Sequence, residues 1–229
     1  MALRRARVRT WGVDAIEAVM TTRAIRRFTA DEVSDDDLRT CLRAAQQAPS
    51  GGNVQPQQYV VVRDPDVKAR IADLYRSAYE RYEKVLGTPP SFRSPDDEAS
   101  WKRTRDASDY LAAHLAEVPV LVLFLQPIIP WAPRDEQGEM DIGRLDASVY
   151  PAVQNFMIAA RSCGLGTALT TVIRIHTTEV LEVLGVPDTS RYEIAALVPV
   201  GRPVGKFGVA RRKPAEAVTH WDRWGDRRK

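Results

Sequence analysis

The apolar positions divide the chain into segments of two different periods. Val13, Ile16, Val19 and Met20 recur at helical spacing and predict a short amphipathic helix over residues 13–20. A second helix is expected over 34–47, with Leu38, Cys41, Leu42 and Ala45 as its apolar stripe. Its start is marked by Ser34 as a cap, Asp37 placed to close a capping box, and Val33 placed to staple onto Leu38. Asp35, Asp36 and Asp37 suit the positive end of the helix dipole. Residues 59–62 form a short β-branched run that predicts a buried strand, turned by Asp64-Pro65. Val67, Ile71, Leu74 and Ala78 then share one face of a helix over 67–85.

Residues 87–100 carry Pro89, Pro90 and Pro95 and predict irregular chain, either a linker or a lid over a site. A helix over 101–117 follows. The run 118–125 is continuously apolar, as a strand buried on both faces must be. Pro127 and Pro130 end it, and 131–143, beginning at Trp131, reads as a polar loop. The segment 146–163 is apolar almost all round, so its helix is buried on several sides, in a core or between subunits. Gly164-Leu165-Gly166 stops it and an extended stretch over 167–172 follows. A short helix over 178–184 and a buried strand over 194–200 complete the pattern.

Two stretches fall outside this periodicity. One is Ala48-Pro49-Ser50-Gly51-Gly52-Asn53-Val54-Gln55-Pro56, between the second helix and the first strand. Its prolines stiffen the chain, its glycines allow close approach, and Ser50, Asn53 and Gln55 offer polar groups to a planar ligand. The other is Thr22-Arg23-Ala24-Ile25-Arg26-Arg27-Phe28. If the turn stays helical, Arg23 and Arg26 share a side and Arg27 points elsewhere. Such a cluster is either a solvated face or a phosphate clamp, since a guanidinium fork matches phosphate oxygens bidentately.

Composition changes the picture little. A chain of 229 residues with 44% hydrophobic and 28% charged residues is an ordinary globular protein. The net charge of +3 is concentrated at the ends, in Arg4, Arg5, Arg7 and Arg9 and in Arg227, Arg228 and Lys229. No interleaved aromatics or recognition motif accompany those arms, so no nucleic-acid partner is expected. One domain over 13–214 is expected between a basic arm, 1–12, and a tail, 215–229. Cys41 and Cys163 lie in apolar helical patterns and read as buried free thiols. No signal-peptide core or membrane-length apolar run is present, which makes the cytosol the expected compartment.

His114, His176 and His220 are too scattered to predict a metal site, and no nucleophile elbow or Walker loop occurs. The glycines at 164 and 166 lack the dinucleotide-binding spacing. No side-chain nucleophile with its base is evident, as expected where a cofactor carries the chemistry.

The arginine segment, the loop at 48–56, the stretch Ala160-Arg161-Ser162-Cys163-Gly164-Leu165-Gly166-Thr167, and the pair formed by 195–203 and Arg211-Arg212-Lys213-Pro214 occur in one order. In that order and spacing they resemble the nitroreductase family of FMN enzymes over roughly 13–214. Two positions depart from the family pattern. Ala24 stands where Ser is frequent, and Gln57 where an aromatic residue commonly follows the proline.

The resemblance implies an α+β, nitroreductase-like fold: a mixed, mainly antiparallel sheet of four or five strands surrounded by helices. It implies a homodimer with shared flavin sites, to which the loop at 48–56 and the arginines come from different chains. Hydride would pass from NADH or NADPH through flavin N5 to a small electron acceptor such as a nitroaromatic or quinone. By the same resemblance Arg23, Ala24, Arg26, Arg211 and Arg212 lie at the FMN phosphate. Ser50, Gly51, Gly52, Asn53 and Gln55 lie at the ribityl chain and ring edge. Leu169, Thr170 and Thr171 approach the ring with backbone N–H groups. The alternatives within the superfamily are dehalogenation, cleavage of the flavin itself, or flavin sequestration without catalysis. The segment 87–100 would decide whether the ring face is covered.

Overall fold

The computed structural model describes residues 13–129, 133–140 and 143–227. The arm at 1–12, Pro130, Trp131, Arg228 and Lys229 therefore lie outside the described residues. The elements in order are α1 (Ala15–Thr21), α2 (Asp35–Gln46), β1 (Gln58–Val62), α3 (Pro65–Leu86), α4 (Pro95–His114) and β2 (Val120–Pro127). There follow β3 (Arg134–Asp135), β4 (Gly138–Glu139), α5 (Asp146–Ser162), β5 (Gly166–Thr167), α6 (Thr177–Val183) and β6 (Tyr192–Gly201).

The main sheet has the order β1-β2-β6-β5, and its strand pairs are antiparallel. A single parallel bridge, Ala24 with Thr167, ties the arginine segment to its margin. β2 is central and buried along nearly its whole length, and its alternation feeds two cores. Val120, Val122 and Phe124 face α2 and α5, packing with Leu38, Cys41, Val149, Val153 and Phe156. Leu121, Leu123 and Leu125 face the other way, onto Ile71, Tyr75, Leu115, Val180 and Leu181. The architecture is thus α+β in three layers, with the sheet between α2/α5 and α3/α6.

Half of the capping expected for α2 forms: Ser34 Oγ accepts from the Asp37 N–H at 3.1 Å, and Val33 and Leu38 are buried in the same core, but Asp37 Oδ1 is buried without a hydrogen-bond partner instead of closing the box. Helix α4 departs from expectation, because residues 95–100 are helical rather than irregular. Proline suits the first helical turn, where its missing N–H has no partner to lose. Pro95 takes that place behind Ser94, whose Oγ accepts from Asp97 N–H at 3.2 Å, and Asp96, Asp97 and Glu98 complement the dipole. Only 87–94 remain irregular, and α4 ends at His114 with a 3₁₀ turn, Leu115–Glu117. The extended stretch expected over 167–172 is also shorter. β5 closes at Thr167, Thr170 makes one bridge to Leu197, and a 3₁₀ helix occupies Val172–His176. The polar loop at 131–143 contains the two-residue hairpin β3–β4.

The stripe expected to bury α1 instead faces outward: Ile16 is 71%, Val19 49% and Met20 54% exposed. Ala18 is the residue α1 buries. Helix α5 buries Val149, Ala152, Val153, Phe156 and Ala160, with Tyr150, Met157 and Ala159 half-buried against the core.

Candidate functional site

Beyond α1 the chain is extended, and two glycines decide how closely it follows the sheet. Ile25 N–H donates to Thr167 O at 2.8 Å, and Phe28 bridges Pro203. A Cβ on Gly166 would lie 2.8 Å from Ile25 Cγ2 and 2.9 Å from its Cβ. One on Gly201 would lie 3.1 Å from Phe28 Cβ. The absence of side chains at these two sheet positions lets the arginine segment lie flat on the margin.

That placement opens a cleft of about 540 Å³. Arg23, Ala24 and Arg26 line one side, Arg211 and Arg212 come from the C-terminal segment, and Arg103 comes from α4. Ser100 and Thr104 add hydroxyls, and no carboxylate is among the lining residues. The two arginine groups picked out in the sequence therefore meet, although the helical turn assumed for Arg23 and Arg26 is absent. Arg27 does point elsewhere, its guanidinium lying 3.7 Å from the centre of the Tyr110 ring. Arg26 is half-buried, and burial lowers its pKa from the ordinary value, opposed by the neighbouring Tyr75 and Tyr79 hydroxyls. A guanidinium partly stripped of water, among other cations, is best satisfied by an anion with several acceptor oxygens. Phosphate meets that description, so the donor set fits the phosphate of FMN.

Tyr75 connects this cleft to the segment after β5. Its hydroxyl lies 3.1 Å from Thr170 Oγ1, and burial raises its pKa, opposed by Thr170 and Arg26. Leu169 and Thr171 are exposed nearby in the chain. Thr170 corrects the sequence reading, because its N–H is not available to a ring. It donates to Leu197 O at 3.0 Å and so completes the sheet. Its hydroxyl meets that of Tyr75 instead.

The loop at 50–55 is built separately and does not line the arginine cleft. Gly51 N–H donates to Ser148 Oγ on α5 at 3.1 Å, and Ser50 Oγ accepts from Gln55 N–H at 3.0 Å. Gln55 is further held by Gln46, whose Nε2 donates to its Oε1 at 3.0 Å. Gly52, Asn53 and Gln55 all have positive φ, of 56°, 57° and 47°. Two non-glycine residues in that region mark stored strain, which persists where surroundings impose it and clusters at ligand sites. Gln57, in the position of the family's aromatic residue, is buried and donates to Gln46 Oε1 at 3.3 Å.

Two contributors were missed in the sequence. Arg103 comes from a helix with little apolar periodicity, so its facing was not legible. Arg161 stands inside the stretch at 160–167 with no separate signal in the sequence, yet its buried guanidinium ties together the segments that carry the arginines. It donates to Thr21 Oγ1 at 2.8 Å, pairs with Glu17 at 3.3 Å, and stacks 4.1 Å from the centre of the Phe207 ring. Thus one side chain on α5 anchors both the end of α1, which leads to Arg23, and the segment leading to Arg211. His176 has a structural role, contacting Glu179 Oε1 at 3.1 Å and Ser77 Oγ at 3.3 Å. Among the described residues no cluster of metal-binding side chains occurs, and no helix is long and apolar enough to cross a membrane.

Comparison with known proteins places these features in a family setting. The model of the Nitroreductase family matches residues 19–202. An NADH dehydrogenase of Thermus thermophilus is 28% identical over 221 residues, 91% of this chain and 96% of that protein. Iodotyrosine deiodinase 1 of Mus musculus is 27% identical over 188 residues, 82% of this chain, and this chain spans 61% of the mouse protein's length. A solved structure of oxidized iodotyrosine deiodinase bound to FMN and 3-iodo-L-tyrosine superposes with a TM-score of 0.66 at 22% identity, covering 88% of this chain and 96% of that one.

Proposed function

Because the chain belongs to the nitroreductase family, we propose that it works as a homodimeric, FMN-dependent NAD(P)H oxidoreductase that reduces a nitroaromatic, a quinone or a similar small acceptor. The observation that carries this reading is the cleft of five arginines with no carboxylate, assembled from three distant parts of the chain. FMN, when bound, supplies the exchange of electron pairs between reductant and acceptor. Arg23, Arg26, Arg211 and Arg212 hold its phosphate, with Arg103 in support. Ser50, Gly51, Gly52, Asn53 and Gln55 meet the ribityl chain and ring, and Leu169, Thr170 and Thr171 border the ring.

The separation of loop and arginines supports sharing of each site between two chains, the loop of one subunit completing the cleft of its partner. The outward-facing Ile16, Val19 and Met20 of α1 supply apolar surface for that contact. Sedimentation at micromolar concentration and at about a tenth of it should give a dimer at both. A monomer that still holds flavin contradicts the shared site. Cys41 and Cys163 are buried and not joined in a disulfide, which fits the reducing cytosol.

The direct test follows NADH and NADPH absorbance with purified protein, a nitroaromatic and a quinone. Consumption that depends on acceptor and FMN is the expected result. Loss of the dinucleotide signal with neither acceptor, alongside iodide release from an iodinated phenol, would move the chain to the dehalogenating reading. No turnover of any of these by flavin-loaded protein contradicts an enzymatic role.

A further inference from the structure

The arginine cleft does not end at the groups one FMN phosphate would need. A second cleft of about 460 Å³ adjoins it and shares Ser100, Arg211 and Arg212. It adds Arg93 and Lys213, which the first cleft lacks, and one carboxylate, Asp97. Asp97 Oδ2 lies 3.3 Å from Arg93 Nε, so an incoming phosphate would share Arg93 with this carboxylate. A phosphate monoester carries about 1.5 to 2 negative charges near neutral pH, which two or three cations satisfy. The five arginines of the first cleft exceed that requirement before Arg93 and Lys213 are considered. Like charges gathered in a concavity repel one another unless an anion occupies it, and the concavity concentrates the field that attracts one.

We infer that the second cleft, walled by Arg93, Lys213 and the shared Arg211–Arg212 pair, takes a second phosphate monoester, the 2′-phosphate that distinguishes NADPH from NADH. This rests on the FMN reading, since FMN must occupy the first cleft for the second to be the remaining anion site. The ligand is a phosphate on the reductant because the site adjoins the flavin phosphate, and the reductant must visit each flavin and leave. Exposed cations fit that need: Arg93 is 81% exposed on its side chain, so its attraction is moderate and screened by salt. Arg211 and Arg212 link the two sites, and Lys213 and Arg93 belong to the second alone.

The experiment titrates FMN-loaded protein calorimetrically with adenosine 2′,5′-bisphosphate and with 5′-AMP, in low salt and again in about 0.3 M salt. The same titrations are run on an Arg93→Gln/Lys213→Gln double variant. The wild type should bind the bisphosphate about tenfold more tightly than 5′-AMP, and raised salt should shrink that preference. The double variant should lose the preference while keeping wild-type FMN affinity. Equal binding of the two nucleotides by wild type overturns the inference, as does a preference that survives in the double variant. A double variant that loses FMN as well assigns Arg93 and Lys213 to the first cleft, and also overturns it. A protein that takes up no FMN sinks the parent reading instead, and the FMN titration separates the two failures.

Discussion

Gly166→Val should unfold the margin of the sheet and release the arginine segment with it. A single Cβ at this position meets Ile25 Cγ2 at 2.8 Å and Ile25 Cβ at 2.9 Å, and valine adds two methyl groups to that overlap. Ile25 cannot simply rotate away, since its Cβ is itself in the clash and its N–H is bonded to Thr167 O. Overpacking of this kind costs about 3 kcal/mol, or roughly 6–12 °C in Tm for a domain of this size. The functional consequence follows from position, because Ile25 lies between Arg23 and Arg26. Moving it by about an ångström moves both guanidiniums out of register with a phosphate, a displacement that binding geometry tolerates poorly. Calorimetric melting and FMN titration measure the two effects. Gly205→Ala is the control, since a Cβ there meets nothing within 4 Å, and it should change neither. A Gly166→Val protein that melts and binds FMN like wild type would show that the close approach is unimportant.

Arg212→Ala should weaken FMN without weakening riboflavin, and Lys213→Ala should weaken neither. The two neighbours are chemically alike and both exposed, so a purely solvated tail would treat them equally. Their surroundings differ, because Arg212 lines the cleft with Arg23 and Arg26 while Lys213 lines only the adjoining one. Arg212 Nη1 donates to Arg211 O at 3.2 Å, which holds part of the side chain in place before any ligand arrives. Charge-assisted hydrogen bonds contribute about 1.5–3 kcal/mol each, and the lower end suits an exposed side chain. FMN affinity should therefore fall about tenfold. Riboflavin has no phosphate and serves as the internal reference. Fluorescence titration of wild type and both variants with both flavins gives the answer. Equal loss of FMN and riboflavin in Arg212→Ala would remove it from the phosphate site.

What could be read from the sequence was what local chemistry specifies. Ser34, the aspartates behind it and Leu38 define the start of α2 within a few residues, and the structure follows them. The apolar run of β2 is legible for the same reason, since both its faces are buried. The start of α4 carries comparable signals in Ser94, Pro95 and Asp96, but Pro89 and Pro90 just before it mask them, because proline both breaks a helix and opens one. The α1 stripe was legible as a stripe, yet periodicity gives no direction, and Ile16, Val19 and Met20 face outward. In the site, the motifs named Arg23, Arg26, Arg211 and Arg212, and the fold brings them together. Arg103 and the tie made by Arg161 depend on contacts between elements far apart in sequence, which no local pattern encodes. The same holds for Thr170, whose N–H was spent on a sheet bridge to Leu197.

If this cleft holds FMN, the flavin itself is the most direct witness. Protein reconstituted with excess FMN, freed of unbound ligand and denatured in acid should release one flavin per chain that chromatographs as FMN. Release of FAD in its place would contradict the phosphate site, and release of no flavin would mean that the protein is not an FMN enzyme.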